Sequence, residues 1–288
     1  STMMEVTVED GIVMNVKITG GCNGNHSGYT QIQLNGGTTH RITKAGNYYI
    51  NSSIYESTYS PALEIECSGT VTICLNGYDI CQTGYGSRVV YLSSNGGELT
   101  VNLCDCKGTG EIYHEKGDSG IDFTPGVITL NMYGGTIIAG KADKGSAIYA
   151  DAKASCVNLQ GGAITGGTTG LGAVYVTNSK LIIGGNMQIT GNTPANVYLG
   201  GNVKIDLSNL GSGAKFGIDM ATPGVFAENT KDFTAQITSD NDSCKVVCEG
   251  GNMALQDKNP PHKHCIGGTT GTVNGHPHSS SVTWEPWD

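Results

Sequence analysis

Short apolar strands separated by glycine, with no amphipathic helical window, run along most of this chain. The pattern is sharpest between residues 127 and 200, where one motif recurs three times. It reads Leu130-Asn131-Met132-Tyr133-Gly134-Gly135-Thr136-Ile137, then Val157-Asn158-Leu159-Gln160-Gly161-Gly162-Ala163-Ile164, then Leu181-Ile182-Ile183-Gly184-Gly185-Asn186-Met187-Gln188-Ile189. After each copy come a glycine-rich turn and a short aliphatic–tyrosine strand: Ala147-Ile148-Tyr149-Ala150, Ala173-Val174-Tyr175-Val176 and Asn196-Val197-Tyr198-Leu199. The tyrosines stand 26 and then 23 residues apart, a solenoid period. A unit of a few tiny strands buries no apolar face alone and must stack on its neighbours. The pattern therefore predicts an all-β fold, a right-handed parallel β-helix, with its coil over about residues 60–220.

The rest of the chain divides around that coil. Residues 1–45 alternate as strands, at Val6-Thr7-Val8 and Val13-Met14-Asn15-Val16-Lys17-Ile18, and read as a small β cap or the remnant of a preceding module. Residues 46–224 are assigned to the parallel β-helix. Its aliphatic–aromatic strand is already present at Val89-Val90-Tyr91-Leu92, and at Ile121-Asp122-Phe123 an aspartate takes the tyrosine slot. Residues 225–256 read as a β-hairpin that closes the coil against edge pairing, and 257–288 as a His-containing linker.

Composition narrows the classes of partner. The 288 residues include 44 glycines but lack a collagen period, only 14% are charged, and the net charge is −9. Two arginines, Arg41 and Arg88, leave no clustered cation for nucleic acid or an anionic membrane. No apolar run approaches the ~18–20 residues of a membrane span. The ten cysteines follow no single metal-site spacing. Two readings stand for them: small interior fillers between rungs, or one or two disulfides, with Cys244–Cys248 in the terminal hairpin as the candidate pair.

The repeat around Asn131-Met132-Tyr133-Gly134-Gly135-Thr136-Ile137 resembles the glycine-rich β-helix repeats of large surface proteins from gut Firmicutes. Further segments share the likeness. Ala45-Gly46-Asn47-Tyr48-Tyr49-Ile50 resembles an entry segment, Ile73-Cys74-Leu75-Asn76-Gly77-Tyr78 a first rung, and Val101-Asn102-Leu103-Cys104-Asp105-Cys106 a second. Ile189-Thr190-Gly191-Asn192 with Asn196-Val197-Tyr198-Leu199 resembles the last rung, and His262-Lys263-His264-Cys265-Ile266-Gly267-Gly268 an inter-module linker. Trp284-Glu285-Pro286-Trp287 resembles the opening of another module. The linker departs from the pattern at Gly267, where a second cysteine is expected. The resemblance implies a pectate-lyase-like shape, a place on the cell surface and no known reaction.

Three groups of residues carry chemistry. Polysaccharide cleavage needs converging carboxylates; Asp105, Asp118 and Asp122, with Glu111 and Glu115, line the long turn after the second rung, though solvated turn residues read the same way. No nucleophile elbow or zinc-protease helix motif occurs. The tail offers His262, His264, Cys265, His276 and His278; each His-x-His pair on extended chain points two imidazoles one way, which suits zinc. Finally, period-2 alternation turns Tyr91, Tyr149, Tyr175 and Tyr198 outward in a row, where rings either stack on sugars or simply cover the sheet. The leading expectation is a non-catalytic, extracellular adhesion or glycan-binding module, monomeric within a longer protein. A structural spacer and a β-helix lyase or hydrolase are the alternatives.

Overall fold

In the computed structural model, residues 2–9, 12–20, 24–32, 39–85, 88–116, 119–123, 126–142 and 145–259 are described. They form a parallel β-solenoid of about six turns with a small antiparallel three-stranded sheet at the C-terminal end. Each turn contributes one strand to each of three faces. The turn Gly69–Cys74, Ile80–Gln82 and Arg88–Ser93 is typical, and the next, Glu98–Cys104, Glu111–His114 and Ser119–Phe123, pairs with it strand for strand.

The register aligns like with like. On the second face Ile54, Ile80, Ile112, Ile137, Ile164 and Ile189 stack in one column that ends on Phe216, and all are at most 1% exposed. On the first face Val71, Val101, Leu130, Val157, Leu181 and Ile205 form an equivalent buried column. On the third, Val90, Ile121, Ile148, Val174, Val197 and Ile218 do the same. Period-2 alternation puts these side chains inside, and a one-residue slip would expose a whole column. The core is thus continuous along the coil, and its burial, at about 25 cal/mol per Å² of apolar surface, is what holds the rungs together.

The repeated Gly-Gly pair has a steric cause. Gly135, Gly162 and Gly185 all have positive φ, at 85°, 90° and 51°. A Cβ on Gly162 would lie 2.3 Å from the Gly135 carbonyl oxygen, and one on Gly161 would lie 2.7 Å from the Tyr133 oxygen. Backbone passes over backbone at this corner, and only glycine fits.

Parallel pairing begins earlier than residue 46. Thr30–Gln31 pairs with Tyr48 and Tyr49, and His40–Ile42 with the strand Leu63–Glu66, so part of the segment read as an N-terminal cap lies in the coil. Before it, Thr2–Glu9 and Ile12–Gly20 form an antiparallel hairpin, as the alternation predicts. At the far end Val225–Ala227, Asn252–Asp257 and Cys244–Glu249 make the three-stranded sheet, while Ile237–Ser239 pairs in parallel with the coil strand Lys215–Met220.

The cysteines settle between their two readings. Cys67, Cys74, Cys81, Cys104 and Cys244 are buried, and no disulfide joins any two of the eight described cysteines. Cys244 and Cys248 sit on one strand, Cys244–Glu249. Four residues of extended chain separate them by roughly 13 Å, twice what a disulfide spans. That pairing is corrected: Cys244 instead points at Asp257, 3.5 Å from Sγ to Oδ1.

Candidate functional site

The third face carries an outward column that reads Arg41, Glu64, Tyr91, Asp122, Tyr149, Tyr175, Tyr198 and Asp219. Three of the four predicted tyrosines are in one stack. Tyr149 and Tyr175 lie 5.4 Å apart at 10°, and Tyr175 and Tyr198 lie 5.9 Å apart at 9°. Tyr91 stands outside the stack, since Asp122 occupies the rung between it and Tyr149; its ring is covered by the Arg88 guanidinium at 5.1 Å. All four rings are half-buried.

This geometry decides what the row can offer. Rings stacked along the coil axis turn their faces on each other and present edges and hydroxyls to solvent. Tyr149 donates its hydroxyl to Asp151 Oδ2 at 3.1 Å, and burial, Asp219 and Tyr175 push the Tyr198 phenol upward. A sugar laid on this row would meet edges, not the apolar π faces that stacking uses.

More exposed rings occur elsewhere. The exposed large apolar side chains among the described residues are Tyr55, Tyr59 and Tyr85, at 56%, 80% and 69%. Tyr59 and Tyr85 come from the corners after the second face on successive turns, and their rings stack at 6.1 Å. Lys116, from the same corner one turn later, places its ammonium 3.8 Å over Tyr85. The strip therefore runs tyrosine, tyrosine, cation along the coil. They stand 26 residues apart, one rung period, but the next turn puts Lys116 in that place, so a single pair was the only signal in the sequence.

The carboxylate candidates divide. Asp105 is committed to backbone: Oδ1 accepts from Gly77 N–H at 2.7 Å and Lys107 N–H at 3.3 Å, and Oδ2 accepts from Gly110 N–H at 2.6 Å. It ties one turn to the next. Asp122 is placed by its backbone in the outward column, and Asp118 lies outside the described residues. Asp240, outside these candidates, accepts from the Asn196 backbone N–H at 2.6 Å and from its side-chain amide. Burial pushes its carboxyl above the ordinary value, against those hydrogen bonds.

Two further arrangements escaped the sequence reading. Asn102, Asn131 and Asn158 stack outward on the first face and hydrogen-bond in a chain, at 2.9 and 2.8 Å, with Thr72 accepting at one end. These asparagines stand in the repeat itself, so the signal was present. The other is a meeting of donors far apart in sequence: His26, Cys74 and Cys106. Cys74 Sγ and Cys106 Sγ are 3.5 Å apart, and Cys106 Sγ is 3.9 Å from His26 Nε2. The tail residues His262, His264, Cys265, His276 and His278 lie outside the described residues.

Set against known proteins, the chain matches no family model, no curated protein and no solved structure.

Proposed function

We propose that this chain is a non-catalytic module of a larger extracellular surface protein, and that it binds glycan weakly through its exposed tyrosines. The observation that carries the reading is the Tyr59–Tyr85 pair: Tyr85 lies between Tyr59 and the Lys116 ammonium, and Tyr59, at 80% exposure, is the ring that would meet a sugar face. A ring that is already ordered and exposed stacks on the apolar face of a sugar at low entropic cost, while phenol and ammonium groups hydrogen-bond the sugar's edge. By analogy with aromatic pairs, each such contact adds about 0.5–1.5 kcal/mol beyond area burial. Contacts of that size, even with the area they bury, leave the affinity at about millimolar or weaker. Repetition of modules along a surface protein would raise the effective concentration and offset that weakness.

A second reading, the structural spacer, has its own support. The Tyr149–Tyr175–Tyr198 stack and the asparagine chain spend their groups on neighbouring rungs, which is what a stiff rod needs. The two readings separate on one experiment. A glycan array with the purified chain should give at least one neutral-glycan hit, weakened about tenfold or more by Tyr59→Ala with Tyr85→Ala. Tyr175→Ala should leave that hit intact. No binding at millimolar glycan leaves the spacer. Release of reducing sugar that disappears in Asp122→Asn would instead make the chain an enzyme.

A further inference from the structure

We propose that His26, Cys74 and Cys106 form a binding site for a thiophilic divalent ion of the zinc class, to which they supply three ligands. The three come from different places in the coil. Cys74 ends the strand Gly69–Cys74, and Cys106 lies two residues past Cys104, the residue paired with Cys74 one turn on. His26 precedes Thr30–Gln31, whose partner strand carries Tyr49, and Tyr49 in turn pairs with Cys74. Three soft donors from three turns therefore converge at one point on the first face, and all three ligand atoms lie within 4.8 Å of one another.

Their spacing is close to what the ion demands. Zinc bonds of about 2.3 Å to sulfur and 2.0–2.1 Å to nitrogen, arranged tetrahedrally, put sulfur about 3.8 Å from sulfur and about 3.6 Å from nitrogen. The separations here are 3.5 Å for the two sulfurs and 3.9 Å for sulfur to nitrogen. Both are within about 0.3 Å of those values, and the third edge, from His26 to Cys74 Sγ, is no longer than 4.8 Å.

The ligands are also held. The His26 ring lies flat on Tyr49, 4.4 Å between centroids at 5°, with Tyr29 edge-on at 5.5 Å. Cys74 is fully buried, and the corners that carry the two cysteines are tied by Gly77 N–H donating to Asp105. Asn76, anchored by its amide on the Ile50 carbonyl, brings Oδ1 within 3.6 Å of Cys106 Sγ. Such restraint reduces the ordering cost of binding. Burial and then Lys107 lower the His26 pKa from its ordinary value.

Binding would exchange two thiol protons, released to solvent, for one divalent cation, and the two thiolates would neutralise its charge. The consequence is mechanical. The strand that follows His26 is only two residues long and lies at the end of its sheet, so an ion bridging His26 to two inner turns would clamp that end against opening.

The test uses the full chain, reduced, with the tail ligands removed by His262→Ala, His264→Ala, Cys265→Ser, His276→Ala and His278→Ala. Cobalt(II) should bind with a stoichiometry of about one and give a thiolate-to-metal charge-transfer band with tetrahedral d–d bands, both abolished by zinc. Cys106→Ser should weaken the cobalt affinity by at least about a hundredfold, since even outer-shell changes cost 10–100-fold. His26→Ala is the second variant, and circular dichroism confirms that both still fold. Loss of the cobalt bands on removing the tail ligands would assign the metal to the tail and overturn the proposal. So would a signal that survives both Cys106→Ser and His26→Ala. A Cys74–Cys106 disulfide in the purified protein, two mass units light, with no metal uptake after reduction would do the same.

Discussion

At the scale of single residues, two kinds of side chain carry this fold, and they fail differently. Gly162 holds φ +90° while the Gly135 carbonyl oxygen occupies the space a Cβ would take. Gly162→Ala therefore meets both backbone strain and a backbone clash, and it should cost roughly 2–4 kcal/mol, at the upper end for a point substitution. Urea melts check this, with Gly96→Ala as the control, a position of positive φ with open space around it. A larger loss at Gly96 would refute the steric account. Tyr175 is the opposite case. It contributes two ring contacts and no conformational constraint, so Tyr175→Ala should lose about 1–3 kcal/mol and leave glycan binding unchanged. A fall in binding without a fall in stability would return the recognition role to the tyrosine row.

At the scale of elements, one carboxylate is buried where the coil meets the strand that leads to the C-terminal sheet. Asp240 follows the strand Ile237–Ser239 and receives the Asn196 backbone and amide donors from the last turn. Gly217 leaves room for it, because a Cβ there would lie 2.0 Å from Asp240 Oδ1. Desolvation raises the carboxyl above its ordinary 3.8, hydrogen bonds from Asn196 oppose the rise, and Asp219 adds to it. A group with a raised folded pKa binds more protons folded than unfolded. Its charge therefore costs stability above the folded value, and the cost disappears as pH falls below 3.8. Relative to the parent, Asp240→Asn should be most favourable at pH 7 and lose that advantage on approach to pH 4. Thermal melts at the two pH values measure the difference. A gap that does not change with pH would show that the carboxylate is not its source.

At the scale of the whole molecule, a solenoid is stable by the sum of its neighbour contacts, and each open end is a template for another chain. The C-terminal sheet covers one end. Its Phe226, Met253 and Leu255 are at most 1% exposed and belong to the same apolar cluster as Phe216 and Ile218 of the last turn. Removing residues 225–259 should therefore drive the chain into larger oligomers or aggregate than the parent forms, read by light scattering. A monomeric truncated coil would show that the last turn protects its own edge.

The architecture was legible because a stacked coil must repeat. Inward aliphatics at period 2 and a glycine pair at each corner recur at fixed spacing, and those two facts alone require rungs, columns and an outward tyrosine row. The asparagine chain was readable in the same repeat. What the repeat does not encode is what lies beyond its own slots. Whether neighbouring rings turn faces or edges outward depends on the stacking of adjacent turns, so the sequence left the Tyr149–Tyr198 row open between a sugar platform and a sheet cover, while Tyr59 and Tyr85, a single pair one period apart, went unnoticed. Asp105 stood between a catalytic carboxylate and a turn residue until the close approach of two turns gave its oxygens three N–H donors. His26, Cys74 and Cys106 are separated by 48 and 32 residues, with no motif between them. Only the coiling of the chain, which returns every twenty-odd residues to the same face, brings them within reach of one ion.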